Sequence, residues 1–225
     1  GFGNVGYHSA KFLQEGGAII IGLAEQAGAI YNPKGLDVEK IMAHRKEHGS
    51  ILNFPGATTL QNPAQVLELE CDILVPAALE NQITVENAPR IKAKIIAEAA
   101  NGPTTSEASN LLEKRGVMII PDTYLNAGGV TVSYFEWLEN LSHVRFGRMG
   151  KRFEESLHRS WLAAIEKATG KTFSQEEVKR LGRGPGEEDL VNSGLEDTMI
   201  VAYNEIRETQ KELGEGLDLR TAAFI

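Results

Sequence analysis

Apolar residues fall at helical spacing over residues 4–15, where Val5, Phe12 and Leu13 share one side. The pattern predicts a helix buried on that face and stopped by Gly16-Gly17. It then changes to an unbroken apolar run, AIIIGLAE at 18–25, which reads as a buried strand. Helical spacing returns in GLDVEKIMAHRKEHG, residues 35–49, with Asp37 placed to cap a helix ahead of Val38, Ile41 and Met42. CDILVPAA (71–78), AKIIAEAAN (93–101) and GVMIIPD (116–122) predict three more short strands, each ending in small or polar residues. From residue 1 to about 125, strand and helix signals alternate as a parallel α/β sheet requires, and such sheets bind ligands at their carboxyl edge.

Residues 146–191 leave that pattern. RFEESLHRSWLAAIEKATG sets Phe153, Leu157, Trp161, Ile165 and Ala168 along one helical stripe that ends at Gly170. The stripe is either ordinary core or the face of a projecting hairpin. Ser174 and Glu177 have the spacing of a capping box for a second, short helix. GRGPGEED then reads as a hinge-like loop before the long helical run DLVNSGLEDTMIVAYNEIRETQKELG. The expected organisation is a sheet domain at 1–145, a helical insertion at 146–191 and a carboxyl-terminal helix at 192–225.

Composition narrows the function. With 225 residues and 42% hydrophobic content the chain can bury a real core, and no apolar run approaches the roughly 18 residues of a membrane span. A formal charge of −8 argues against broad adhesion to nucleic acid or an anionic membrane, and the patch Arg145, Arg148, Lys151 and Arg152 is balanced by Glu154 and Glu155. The single Cys71 excludes an internal disulfide and fits an intracellular setting. His44 and His48 are spaced i, i+4 but lack a third ligand, so no metal site is expected.

The candidate chemistry begins at the first residue. Gly1, Gly3 and Gly6 give G-x-G-x-x-G directly ahead of an amphipathic helix. Glycines at that spacing either serve tight packing or let backbone approach a pyrophosphate held by the helix start. Glu25 ends the following strand 19 residues after Gly6, where a carboxylate can accept both ribose hydroxyls of an adenosine; a plain surface glutamate is the alternative. Gln26 and Ala27 offer no adjacent cation for a 2′-phosphate, which favours NAD over NADP. Asn101-Gly102-Pro103 turns the chain at a strand end ahead of a cap at 104–106, and Asn126-Ala127-Gly128-Gly129 opens a helix that carries Ser133 one turn on. Both stretches are equally readable as turn and cap chemistry alone.

The runs GFGNVG, IYNPKG, AEAANGPTT, PDTYLNAGGVTVSYFEWLEN and LDLRTAAF together resemble the coenzyme domain of the glutamate dehydrogenases, in the glutamate, leucine, phenylalanine and valine dehydrogenase superfamily. The resemblance runs nearly end to end, and LNAGGVTVSYFEW is its most specific part. It implies a Rossmann-like, doubly wound, mostly parallel α/β sheet with an antenna-like helical insertion. It also implies that Gly1, Phe2, Gly3, Asn4, Val5 and Gly6 contact the dinucleotide and that Glu25 binds the adenosine ribose. Ala77 and Ala78 are then expected beside the cofactor, Asn101 and Asn126 near the nicotinamide, and Ser133 on the side-chain carboxylate of the substrate. The implied cofactor is NAD, with NADP possible. The implied reaction interconverts L-glutamate with 2-oxoglutarate and ammonium, in a homo-oligomer, a hexamer by resemblance, of the mitochondrial matrix or cytoplasm.

The family's catalytic lysine and aspartate lie in an amino-terminal substrate domain that residues 1–225 do not contain, so no catalytic residue is expected here. The strand that normally precedes such a glycine turn is likewise outside the sequence. We therefore expect one part of a longer enzyme, cut after the first Rossmann strand and again inside a helix at Ile225, with two open sheet edges that favour association. An apolar amino-acid dehydrogenase of the same superfamily and a non-catalytic NAD-binding module are the rival readings.

Overall fold

Gly3 opens α1 (Asn4–Glu15), and Gly16 with Gly17 at φ +94° ends it. The computed structural model describes residues 1–142, 148–183, 186–214 and 216–225. The face expected to be buried is not the one used: Val5 and Phe12 are 51% and 62% exposed and Leu13 borders open space, while Gly6 and Ala10 are buried. α1 lies so close to the turn before it that only small residues fit on the packed side.

The chain continues through an extended stretch into β1 (Gly22–Glu25), shorter than the apolar run predicts. Ile20 and Ile21 spend their carbonyls on Leu36 and Asn32 in a loop instead of on a strand ladder. A two-residue turn, Gln26-Ala27, then folds β2 (Gly28–Tyr31) back antiparallel, with Gly22 opposite Tyr31 and Glu25 opposite Gly28. Sequence reading missed this hairpin. Gly28 sits at φ +152°, and a Cβ there would stand 2.8 Å from the Leu60 carbonyl, so glycine is required. α2 (Val38–His48) follows, with the Asp37 carboxylate accepting the Lys40 amide at 3.0 Å, a cap worth about 1 kcal/mol. Gln14 splices the two helices: its amide donates to the Leu36 carbonyl at 2.7 Å and accepts from the Val38 amide at 3.1 Å. β3 (Thr58–Leu60) completes an antiparallel sheet in the order β1-β2-β3. Phe2, Leu23, Ile30, Val38, Ile41 and Ile51 form its core.

A second sheet is parallel, as the sequence predicts: β4 (Ile73–Leu74), β5 (Ile95–Ala97) and β6 (Met118–Ile120), in that order. α3 (Ser106–Lys114), capped by Thr105, packs on it over a core of Ile83, Ile91, Ile96, Leu112 and Ile119. The architecture is α/β and Rossmann-like, but among the described residues the strands form two three-stranded sheets, not one continuous parallel sheet. β1 and β4 each carry one edge with no partner strand in its sheet, and both border one trough.

α4 (Asp122–Leu125) leads to α5 (Ala127–Ser142), then come α6 (Arg148–Thr169), α7 (Gln175–Leu181), α8 (Glu187–Leu213) and α9 (Leu219–Phe224). Two compact units result: residues 1–127 with 203–225, and residues 128–202. The second unit therefore begins earlier than the helical insertion expected at 146–191. α5 and α8 approach closely because Gly128 faces Leu195 and Gly194 faces Phe135. The expected boundary at 145/146 and His143 lie outside the described residues. The capping box forms, Ser174 and Glu177 each bonding the other's backbone amide. The α6 stripe is not core: Phe153 and Trp161 are 72% and 58% exposed, and among the described residues of α6 the buried one is Leu162. The single carboxyl-terminal helix becomes two, because Gly214 at φ +119° stops α8 and Asp218 caps α9 through the Thr221 amide at 2.7 Å. No helix among the described residues is long and apolar enough to cross a membrane.

Candidate functional site

The three glycines of the opening turn do different work. A Cβ on Gly1 would stand 2.6 Å from the Ala77 carbonyl and 2.8 Å from the Ala78 side chain. On Gly6 it would stand 1.9 Å from the Gly1 carbonyl, so both glycines are demanded by close packing of turn, helix and the end of β4. On Gly3 it would meet nothing within 4 Å. Gly3 is also the N-cap of α1, with no side chain to cap the first turn and no acidic residue in that turn. The start of α1 at Gly3 therefore borders open space, an arrangement in which helix amides and their partial positive charge can hold an anion. Asn4 and Val5 are exposed at this helix start, and Ala77 and Ala78 lie against the turn. The Phe2 side chain is 1% exposed and meets Tyr7 edge-on at 5.9 Å, so it belongs to the core and only the Phe2 backbone shares the turn.

Glu25 stands at the end of β1, with its side chain 14% exposed. Oε1 accepts the Ser50 hydroxyl at 2.5 Å and the Ile51 amide at 3.0 Å, and Oε2 lies 3.2 Å from Arg45 Nε. The carboxylate is thus oriented by the α2–β3 connection. Arg45 and Ser50 were missed in the sequence, where only Gln26 and Ala27 adjoin Glu25; the fold returns α2 to the strand end and brings a cation from outside the strand's own neighbours.

Asn101 and Asn126, from different strand ends, are brought together: Asn126 Nδ2 donates to Asn101 Oδ1 at 2.5 Å. The turn between them is fixed by Asp122, whose Oδ2 accepts the Gly102 amide at 2.7 Å while Gly102 sits at φ +52°. Burial raises the Asp122 carboxyl, but the Gly102 amide and the Arg220 guanidinium outweigh it and hold the group below the usual carboxylate range.

Ser133 lies in the other unit, exposed on α5, with its hydroxyl donating to the Gly129 carbonyl of its own helix at 3.0 Å. His44 and His48 stack with ring centroids 4.2 Å apart, yet each has a ring nitrogen on a backbone carbonyl, Leu52 and His44 respectively. Among the described residues no group of His, Cys, Asp and Glu is arranged to hold a metal ion.

A cleft of about 820 Å³ runs alongside α1. Gly1, Gly6, Glu25 and Ala77 border it, whereas Leu23 and Leu74 belong to its apolar lining. Its body is the trough between the two sheets, and the polar groups described above occupy only part of its wall.

Residues 1–214 match the family described as Glutamate/Leucine/Phenylalanine/Valine dehydrogenase. A mitochondrial glutamate dehydrogenase of Dictyostelium discoideum is 51% identical over all of this chain and 44% of its own length. An NAD-specific glutamate dehydrogenase of Staphylococcus aureus is 51% identical over 62% of this chain and 33% of its own length. The crystal structure of a hetero-hexameric glutamate dehydrogenase from Thermus thermophilus, in a leucine-bound form, superposes with a TM-score of 0.74 at 24% identity. That match covers 99% of this chain and 42% of the other, and it shows the fold. The chain spans about half the length, or less, of the relatives it matches. With the glycine turn, the oriented Glu25 and the joined asparagines all inside the matched region, the chain belongs to the glutamate, leucine, phenylalanine and valine dehydrogenase family.

Proposed function

We propose that residues 1–225 are the coenzyme-binding part of a glutamate dehydrogenase, which interconverts L-glutamate with 2-oxoglutarate and ammonium. The observation that carries the reading is the open helix start at Gly3 combined with the oriented carboxylate of Glu25. The residues fit a dinucleotide: the α1 amides would hold its pyrophosphate, Glu25 its adenosine ribose, Ala77 and Ala78 its flank, and Asn101 with Asn126 its nicotinamide end. When bound, the cofactor supplies the acceptor or donor of hydride. This chain's residues bind and orient it; general acid and base chemistry belongs to residues outside 1–225.

NAD is the favoured cofactor. A carboxylate at Glu25 repels a 2′-phosphate, and the Staphylococcus relative is named NAD-specific. Arg45 offsets part of that repulsion, which keeps NADP admissible. Ser133 supports glutamate over apolar amino acids, because among the described residues its hydroxyl bonds its own helix and can turn to a substrate carboxylate. An oligomer is supported by the exposed α6 stripe and by the hexameric relative of the same fold. An intracellular setting, matrix or cytoplasm, is supported by the single half-buried Cys71 and by a relative named mitochondrial.

The test is a fluorescence titration of the complete protein with NADH, repeated with Glu25→Ala. Saturable binding that weakens by roughly tenfold in the variant supports the site. Equal affinity in both proteins removes Glu25 from it.

A further inference from the structure

Arg220, the second residue of α9, reaches two carboxylates that follow the neighbouring strands β5 and β6 of the parallel sheet. Its Nη2 donates to Glu98 Oε2 at 2.5 Å and its Nη1 to Asp122 Oδ1 at 2.6 Å. Glu98, just past β5, is fully buried. Its Oε2 also accepts the Asp122 amide at 3.0 Å, while its Oε1 has no hydrogen-bond partner among the described residues, so Glu98 is an anchor that cannot be left without its cation. Asp122, just past β6, divides its oxygens differently. Oδ1 takes Arg220 and the Thr123 amide, and Oδ2 takes the Gly102 amide. The Asp122 carbonyl meanwhile accepts the amide of Asn126 at 3.1 Å.

One residue therefore touches both halves of the asparagine pair, the Gly102 amide through its side chain and Asn126 through its main-chain carbonyl. The peptide between Asn101 and Gly102 is fixed by Asp122 Oδ2, and Asn126 is fixed by the Asp122 carbonyl. α9 itself is seated by buried Leu219 and Ala222 and capped by Asp218. Had Arg220 served only to neutralise the buried Glu98, a single bond would suffice; its second arm is committed to the group that shapes the turn.

We propose that Arg220 and Asp122 are positioning residues that couple the seating of the carboxyl-terminal helix α9 to the shape of the Asn101-Gly102-Pro103 turn. The asparagine pair then presents its amides correctly only when α9 is docked. The proposal rests on the reading that Asn101 and Asn126 stand at the nicotinamide end of the cofactor. Its functional consequence is specific: loss of the coupling disturbs that end of the dinucleotide and leaves the pyrophosphate and adenosine ends, held by α1 and Glu25, as they were.

The experiment compares NADH with ADP-ribose, the same ligand without its nicotinamide, on the complete protein and on Asp122→Ala, Asp122→Asn, Arg220→Lys and Asn101→Ala. Asp122→Ala keeps the Arg220–Glu98 pair and is the variant expected to fold even where loss of Arg220 does not permit it. We expect NADH to bind roughly tenfold more weakly and kcat to fall, with ADP-ribose affinity held within about twofold. Amide exchange should quicken in the 101–104 segment and not in β5. Asp122→Asn, whose one amide oxygen can accept from Gly102 only by turning its NH2 toward the Arg220 guanidinium, should recover little of the loss. Arg220→Lys, with one compact ammonium where two arms are needed, should behave like Asp122→Ala. Parallel loss of NADH and ADP-ribose binding, or loss of neither, overturns the coupling when Asn101→Ala still weakens NADH selectively. If Asn101→Ala also has no effect, the placement of the nicotinamide is wrong and the coupling falls with it.

Discussion

Arg45 Nε stands 3.2 Å from Glu25 Oε2, a contact that bridges the last turn of α2 and the end of β1. The pair is partly exposed, so its contribution to stability is about 0–1 kcal/mol, and its consequence is chemical: it moderates the negative charge that a ribose phosphate would meet. Arg45→Ala should leave the melting temperature nearly unchanged and raise the preference for NADH over NADPH several-fold, on the order of the exposed-pair energies above. Dissociation constants for the two cofactors check this, and an unchanged ratio would detach Arg45 from cofactor choice.

Gly3 and Gly6 predict opposite phenotypes. Gly6→Ala drives a methyl group to 1.9 Å from the Gly1 carbonyl and should destabilise the turn and α1 by several kcal/mol. Gly3→Ala meets nothing in the protein and should fold normally, yet its methyl would occupy the space in front of the helix start, so NADH affinity should fall while the unfolding midpoint holds. Urea titration and NADH binding on the same two proteins separate the cases; the reverse order would falsify the reading of the turn.

Ser133→Val removes a hydroxyl that, among the described residues, bonds within α5, so stability should change by less than about 0.5 kcal/mol. In the complete enzyme kcat/KM for glutamate should drop selectively, with kinetics for an apolar amino acid unchanged or improved. Untouched glutamate kinetics would take Ser133 out of the substrate site.

Glu113 supplies a pH signature. Burial, then the nearby Asp218 carboxylate, raises its carboxyl above the usual range. A folded-state value above the unfolded one means that ionised Glu113 opposes folding at neutral pH, and that the penalty disappears as pH falls through the folded value and below the ordinary glutamate value of 4.5. Glu113→Gln should therefore raise the melting temperature at pH 7 and converge on the parent protein below about pH 4. Asp122 has the opposite sign. Its lowered carboxyl stabilises the fold above the ordinary value of 3.8, and that stability is lost as pH falls below it.

Trp161→Glu should leave α6 helical by circular dichroism, because Trp161 is exposed in the single chain. If the stripe is covered by another subunit, sedimentation should show a smaller assembly; an unchanged sedimentation coefficient would place the subunit contact elsewhere.

Local signals carried much of this molecule. Asp37, Thr105, Ser174 with Glu177 and the glycine stops each act through neighbours within a few residues, and each is where the sequence predicts it. Features built across distance were not legible. The β1–β2 hairpin hid in a run whose apolar character suits a parallel strand equally well, and only Gly28 hinted at the reversal. Arg45 and Glu25 lie 20 residues apart, Arg220 and Glu98 lie 122 apart, and no periodicity connects either pair. The buried face of α1 was misread because periodicity marks the large apolar side, whereas close backbone approach selects the small one, Gly6 and Ala10.

Gln14 links the two ends of the candidate site. By bonding the Leu36 carbonyl and the Val38 amide together, it locks the carboxyl end of α1 to the amino end of α2. α1 presents the turn amides, and α2 carries Arg45 to Glu25. The spacing between the glycine turn and Glu25 is thus set during folding, and a dinucleotide bound as proposed need not freeze one helix against the other. Such a site should show little loss of conformational entropy on binding, with its affinity governed by how fast the ligand leaves.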